Sequence, residues 1–320
     1  VWGKCGGRGW ERGRRERRVW LQRRRGGDKG GAAEGAAVAG AGRGAGELAP
    51  PLWPERAGQA GRGLLRQGGA SHGCVIIKHT NPCGVAIDSS QKNAWKNALA
   101  SDSESAFGCV VAFTSLVEKE TAEEIGGHFL ECIIAPGFSE EALDILSLKK
   151  NRRMLTLSQF LPREDELRIR QLDGGWVAQI QGPPSVDWDS VKCVTKMQGT
   201  PESISLARFG STVLSEVKSN SVVLVAQTNT GFATVGVGPG QTSRVEAVRI
   251  AARRAGDRAV GSMMVSDAFF PFRDGIDTAN EIGVTTVVQP GGSIRDQECI
   301  DAADEHGISM FFTGQRLFLH

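Results

Sequence analysis

From position 74 onward, short apolar runs alternate with segments of helical period, and this alternation constrains the fold more than any other feature of the chain. A short, nearly continuous apolar run suits a strand buried on both faces, and the mixed segment after it suits the helix that carries the chain back for the next strand. Strands are predicted at 74–78, 108–114, 131–135, 192–196, 221–226, 232–236, 261–265, 284–288 and 308–312. Helices are predicted between them at 90–100, 118–128, 139–148, 200–217, 243–255, 273–282 and 296–306. The punctuation agrees: Pro136-Gly137 and Pro290-Gly291-Gly292 close strands, and Ser293 to Asp296 has capping-box spacing with Asp in place of Glu or Gln. The expected fold class is α/β, with halves at 71–157 and 191–320. Residues 158–190, marked by Gly174-Gly175 and Pro183-Pro184, break the rhythm and are expected to form a loop-rich connection.

Residues 1–70 have a different composition. Runs such as Arg12-Gly13-Arg14-Arg15 give way to Gly/Ala-rich sequence ending near Pro50-Pro51. Such a segment buries too little apolar surface to offset its ordering entropy, so disorder is expected. An Arg-Gly arm that binds nucleic acid through phosphates and through stacking on Trp2, Trp10 and Trp20 is one reading. A spacer, an atypical targeting extension or non-native coding sequence is the reading preferred. The net charge of +2 hides this asymmetry, because Arg is concentrated at the start and the remainder is nearly balanced. Seven cysteines without a CxxC pair look like small core residues of a reducing compartment. Neither a membrane span nor a secretory signal is expected.

Three segments invite a chemical reading. Lys78-His79-Thr80-Asn81-Pro82-Cys83-Gly84 sets an ammonium beside an imidazole just after the apolar run Cys74 to Ile77, and Asn-Pro-Cys-Gly is expected to turn the chain. Strand ends are where α/β proteins place their chemistry; the competing reading is one solvated charge beside one hydrogen-bonded imidazole. The stretch Thr234 to Arg244 passes through glycines spaced GxGxG, which suits amides facing a polar ligand group but is no dinucleotide fingerprint. Ser266-Asp267-Ala268-Phe269-Phe270-Pro271-Phe272-Arg273-Asp274 either clamps a planar ligand or plugs the core. Zinc at His79 and Cys83 is not supported, since the HxE and the second Cys of a deaminase signature are missing. A Cys83 nucleophile served by His79 lacks the other members of a triad.

These segments, with Ser105-Ala106-Phe107-Gly108, Ile133 to Phe138, Lys218-Ser219-Asn220-Ser221, Gln289 to Asp296 and Gly314-Gln315-Arg316-Leu317-Phe318, resemble the transformylase domain of the AICAR transformylase/IMP cyclohydrolase family. The resemblance runs from about residue 73 to 320 in unbroken motif order. It implies two cytidine-deaminase-like three-layer halves, and a homodimer with its sites at the interface and no catalytic metal. The implied reaction is phosphoribosylaminoimidazolecarboxamide formyltransferase: formyl passes from the cosubstrate 10-formyltetrahydrofolate to the 5-amino group of AICAR, in purine (IMP) biosynthesis. By the resemblance His79 is the base, Lys78 stabilises developing charge and Asn220 holds the formyl group. Gly108, Glu131, Phe269, Asp274 and Arg316 match AICAR-contacting positions, and Val237, Gln241 and Pro271 lie where the reduced folate would pack.

The chain departs from that pattern in several ways, Ser103-Glu104 before Ser105 being a mild one. Nothing in residues 1–70 is like the family's cyclohydrolase domain, so a truncated member without ring closure to IMP is expected. The phosphate-binding Arg-Tyr-Gly-Glu-Asn-Pro-His-Gln segment has no counterpart, only Leu64-Leu65-Arg66-Gln67, and the chain contains no Tyr. Pro239 stands where Ala is usual in the glycine loop. Weak or absent transformylase activity is therefore expected of this chain alone, and the alternative function is an impaired member that retains only dimerisation or ligand binding. The expected compartment is the cytosol, the Arg-rich, Ser-poor start being a poor match to an organelle transit peptide. Neither membrane nor nucleic acid is an expected partner.

Overall fold

The computed structural model describes residues 19–22, 72–157, 166–181 and 186–320. Of the segment expected to be disordered, only Val19–Gln22 falls among them, and it is a strand, β1; the rest of 1–70, and with it Leu64 to Gln67, lies outside the described residues. The chain divides into two units.

The smaller unit contains β1 and a hairpin of β7 (Glu166–Leu172) and β8 (Gly175–Gln181), in the order β1-β8-β7 with every pairing antiparallel. This corrects the loop-rich reading of 158–190. Leu172 pairs with Gly175 and Gly174 has φ 80°, so Asp173-Gly174 is a two-residue hairpin turn. Asp-Gly between β-forming runs is a strong hairpin signal, and the neighbouring prolines had masked it.

The larger unit is built on a mixed eleven-stranded sheet. Its first half runs β2 (His72–Lys78), β3 (Asn81–Asp88), α1 (Gln91–Ser101), β4 (Cys109–Phe113), α2 (Lys119–Ile125), β5 (Leu130–Ala135), α3 (Glu140–Ser147) and β6 (Arg153–Thr156). After β9 (Lys192–Cys193) and α4 (Pro201–Leu214), the second half runs β10 (Val222–Gln227), β11 (Phe232–Gly238), α5 (Arg244–Ala255), β12 (Met263–Ser266), α6 (Asp274–Glu281), β13 (Thr286–Gln289), α7 (Asp296–His306) and β14 (Ser309–Phe312). The halves repeat one plan, an antiparallel hairpin followed by three helix–strand units, with the third strand antiparallel to the first and the last strands parallel. They join where β3 pairs β11 antiparallel, Ala86 with Ala233 and Ile87 with Phe232, which makes the sheet continuous.

Residue alternation along the strands sorts the core by face. Cys74 and Ile76 face α1, α2 and α3 with Trp95, Ile125 and Leu146, whereas Val222, Leu224 and Met264 face α5, α6 and α7 with Val248, Ile276 and Cys299. Val75, Ile77, Val223, Val225 and Val265 point to the other face, where α4 contributes Phe209, Val213 and Leu214. Helix starts follow cap chemistry: Ser90 Oγ accepts from the Asn93 amide, Ser139 from Ala142, and Thr200 with Ser203 forms a reciprocal capping box before Pro201. The predicted box at Ser293 is rearranged, because Asp296 reaches back to the amides of Gly292 and Ser293.

Glycines in the strands admit the helices. A Cβ on Gly84 would lie 1.9 Å from Ala98 O of α1, and Cβ atoms on Gly236 and Gly238 would lie 2.1 and 1.9 Å from Ala251 O and Ala247 O of α5. The first two glycines of the GxGxG pattern therefore serve strand–helix packing, whereas a Cβ on Gly240 would meet nothing within 4 Å. Besides β1, four strands of the described residues escaped prediction: β6 on the sheet margin, β7 and β8 of the hairpin, and β3. Asn81-Pro82-Cys83-Gly84 is strand, not turn, and the chain reverses one dipeptide earlier at His79-Thr80. Proline is tolerated there because the β2–β3 register shifts between Ile76 and Ile77, and β11 pairs only with the far end of β3. No helix among the described residues is long and apolar enough to cross a membrane.

Candidate functional site

The connection between β2 and β3 is two residues long and both have positive φ, His79 at 47° and Thr80 at 68°. Primed hairpin turns normally place Gly, Asn or Asp in this left-handed region, and a β-branched Thr there is strained by roughly 1–3 kcal/mol. The turn exposes His79. Lys78 Nζ is held by two carbonyls at the start of β4, Phe107 O at 2.5 Å and Gly108 O at 3.1 Å. Gly108 has φ 67°, and a Cβ there would lie 3.3 Å from Lys78 Nζ, so glycine lets the ammonium sit against the backbone.

A cavity of about 490 Å³ opens in the second half of the sheet. Asn220, just before β10, forms part of its wall; Thr242 to Val245 bring the start of α5, Ala268 to Phe272 and Asp274 the loop after β12, and Arg316 and Phe318 the segment after β14. The Arg316 guanidinium stands over the Phe269 ring, 5.0 Å from its centroid. Phe270 is turned inward and buried, its amide donating to Gln289 Oε1 at 2.9 Å. In the Phe-rich loop, Phe270 thus plugs the core while Phe269 and Phe272 line the cavity.

Beneath the wall lies an ionic cluster that the sequence did not announce. Arg244 Nη1 bonds Asp267 Oδ1 and Ser266 Oγ, the latter at 3.0 Å, and Arg244 Nη2 donates to Asn220 Oδ1 at 2.8 Å. Asp267 is fully buried, and its other oxygen accepts from the amide and hydroxyl of Ser221 at 2.9 and 3.0 Å. The Leu317 amide donates to Asp267 O at 2.9 Å, which ties the C-terminal segment bearing Arg316 to the loop bearing Phe269. Partners this far apart in sequence leave no local spacing signal.

Topology puts the predicted residues on one edge of the sheet. The carboxyl ends of β2, β11 and β12 and the amino ends of β3, β4, β5 and β10 all lie there, as the pairing directions require. Asn81 Oδ1 accepts from the Lys218 amide at 3.1 Å, so the Lys78–His79 turn borders the strand start that carries Asn220. Of the predicted residues, Asn220, Phe269, Pro271, Asp274 and Arg316 line the cavity. Gln241 is next to it, exchanging backbone hydrogen bonds with Asn220. Val237 is fully buried in the core and does not reach it. Glu131, near the start of β5, is half exposed and pairs with Arg153 at 3.3 Å. Five strand spacings separate β4 from β12 and six separate β5 from it. At roughly 4.8 Å per spacing, Gly108 and Glu131 stand about 24 and 29 Å from the Phe269 loop.

The buried thiols are not poised for chemistry. Burial raises Cys83 well above its ordinary range and Cys109 to about 12, so neither is a thiolate at neutral pH. A Cys83 nucleophile is excluded on that ground and on its burial. Beside the cavity, Arg273 holds the Asp277 carboxyl down to about 2, with His306 bonded to the same group at 2.8 Å. That cluster braces α6 against α7.

Residues 61–254 match the family model described as AICARFT/IMPCHase bienzyme, a span that includes the Lys78–His79 turn, Asn220 and Arg244. A match over more than half of the chain means that the protein belongs to the AICARFT/IMPCHase bienzyme family and is an enzyme of purine biosynthesis that binds substrates of that pathway.

Proposed function

We propose that the protein is a folate-dependent formyltransferase acting on AICAR, and that each active site is completed by two copies of the chain. The observation that carries this reading is the placement of the predicted residues. They lie along one sheet edge or beside it, with Val237 turned into the core, yet Gly108 and Glu131 stand too far from Phe269, Asp274 and Arg316 for one nucleotide to touch both sets. A second copy that sets its Lys78 edge against this cavity would bring the sets together. The repeated hairpin and helix–strand plan favours two cytidine-deaminase-like halves, and a family role in purine biosynthesis favours this substrate.

The chemistry suits the residues. The 5-amino group of AICAR is conjugated to a carboxamide and is a weak nucleophile, so it gains from losing a proton as it attacks. Its nitrogen bonds to the formyl carbon of 10-formyltetrahydrofolate, the bond from that carbon to N10 breaks, and N10 takes up a proton, which leaves tetrahydrofolate and formyl-AICAR. His79 on its exposed turn serves as the base. The Lys78 ammonium offsets charge on the formyl oxygen. Phe269 with Arg316 provides a flat cationic wall for the heterocycle, Asp274 accepts from its carboxamide, and the folate packs on Pro271 near Gln241. The reaction as read needs no catalytic metal, and the cytosol is the compartment that supplies both substrates.

The test is formation of formyl-AICAR from AICAR and 10-formyltetrahydrofolate by the full chain, with Lys78→Ala and His79→Ala beside wild type. Each variant is expected to lose about 100-fold or more in kcat, in the range of a removed acid–base or oxyanion group. Turnover unchanged in both variants refutes the assigned roles.

A further inference from the structure

Lys78 owes its orientation to the connection between α1 and β4. Its Nζ donates to Phe107 O and Gly108 O, and an ammonium has three hydrogens, so one is left for a reacting oxygen. Where that hydrogen points depends on where the two carbonyls stand. They belong to residues outside helix and strand, and such a segment keeps one shape only if its backbone groups find partners beyond a ladder. Asp102 supplies them: its Oδ1 accepts from the Ser105 amide at 3.0 Å and its backbone carbonyl from the Ala106 amide at 3.2 Å. Ala106 O in turn accepts from the Cys109 amide at 3.2 Å, and the Gly108 amide donates to Phe129 O at 2.9 Å. The carbonyls that grip Lys78 are therefore bracketed by fixed bonds.

Asp102 is itself held from the second half of the sheet. Its side chain is 6% exposed, and Arg254 Nε, in the last turn of α5, lies 3.1 Å from its Oδ2. Arg254 Nη1 donates to Val237 O at 2.7 Å, which pins the guanidinium to β11. The preceding residue is anchored the same way: the Ser101 hydroxyl accepts from Thr234 Oγ1 at 2.9 Å, and Ser101 O accepts from Arg258 Nη2 at 3.4 Å. We propose that Asp102 is the positioning residue for Lys78 and that Arg254 sets it. The carboxylate shapes the turn from Asp102 to Gly108, the two carbonyls of that turn aim the ammonium, and the second half of the sheet thereby governs a catalytic group on the first. The inference rests on the formyltransferase reading and deepens it, since it assigns a role to two residues that line no part of the cavity.

Two measurements on the full chain test the assignment, one with turnover and one without. Formyl-AICAR formation is compared in wild type, Asp102→Ala, Lys78→Ala and the double variant. Asp102→Ala is expected to lower kcat about 10- to 100-fold, the cost of displacing a catalytic group by about 1 Å, with KM for AICAR changed less than about twofold. In the Lys78→Ala background the same substitution is expected to change kcat by less than about twofold, because nothing remains to be positioned. Equal losses in both backgrounds mark a merely structural effect and overturn the proposal. The second measurement is the rate at which acetic anhydride acetylates Lys78, read by peptide mapping against the exposed Lys119. In Asp102→Ala that rate is expected to rise about fivefold, the worth of one released hydrogen bond. Arg254→Met, which leaves the turn itself intact, is the second variant should the first lower the melting temperature, and is expected to raise the rate about threefold. Unchanged Lys78 acetylation in both variants overturns the proposal. A rise in acetylation without formyl transfer by wild type refutes the reaction and leaves the positioning role standing.

Discussion

The ion pair between Arg244 and Asp267 is the most exacting place to test the structure. The Arg244 side chain is 9% exposed and that of Asp267 is fully buried, so neither charge has much solvent to fall back on. Asp267→Asn keeps the shape, and it keeps an acceptor for the Ser221 amide, but removes the charge opposite the guanidinium. Breaking a buried pair from one side typically costs about 3–5 kcal/mol, because the surviving charge is left uncompensated. Roughly 240 residues are described, and for a domain near that size about 2–4 °C of melting temperature corresponds to 1 kcal/mol, so the variant should melt about 6–20 °C lower. Arg244→Met strands the carboxylate instead and should cost a similar amount. The informative variant combines both, since removing the two charges together leaves neither unpaired. Its melting temperature, followed by circular dichroism at pH 7, should lie above the sum of the single losses by the equivalent of about 2 kcal/mol or more. Strict additivity, or a loss under about 2 °C in Asp267→Asn, would refute the claim that this pair is the node joining β10, β12, α5 and the C-terminal segment.

Three further outcomes follow from the geometry. Gly84→Ala sets a methyl 1.9 Å from Ala98 O, a backbone atom that cannot swing away, and should cost about 2 kcal/mol or more in chemical denaturation through overpacking; Gly174→Ala meets nothing within 4 Å and should cost only about 1 kcal/mol for its positive φ. Among the cysteines of the described residues, Cys193 alone is partly exposed, and Cys74, Cys83, Cys109, Cys132 and Cys299 are buried, so a thiol reagent on the native protein followed by peptide mapping should label Cys193 first; early labelling of Cys109 would contradict the packing. The Asp277 carboxyl is lowered to about 2 from 3.8, chiefly by the Arg273 hydrogen bond, so its contribution is present above pH 4 and lost as pH falls toward 2. Because the group is about a third exposed, screening limits that contribution to under about 1 kcal/mol, and in Arg273→Ala the acid-dependent part of the melting curve between those pH values should flatten; an unchanged slope would show that Arg273 does not set the carboxyl.

The sequence carried the α/β class and the positions of most helices and strands, because a buried strand needs an apolar run and a packed helix needs a periodic face, and both are local properties. It also singled out the Lys78–His79 dipeptide and the Phe-rich loop, whose residue types are unusual for packing alone, while Arg316 entered only through the family resemblance. The β7–β8 hairpin was legible in principle through Asp173-Gly174 and was lost among neighbouring prolines. Strand β3 was not legible, since Asn-Pro-Cys-Gly carries turn chemistry and is held extended only by pairing with β2. Nor were Arg244 and Asp267, whose meaning depends on a pairing across 23 positions that no local pattern encodes.

Tertiary structure decided three things that the sequence by itself could not. Pairing of β3 with β11 joined two repeats into one sheet and placed the predicted residues along a single edge, because strand direction is a property of the whole ladder. Strand spacing then set Gly108 and Glu131 apart from the Phe269 loop, a separation absent from any list of motifs. The third is the orientation of the Asn220 amide. A sequence names the side chain, but only the carbonyls of Gln241 and Thr242 and the guanidinium of Arg244 decide how its amide is turned.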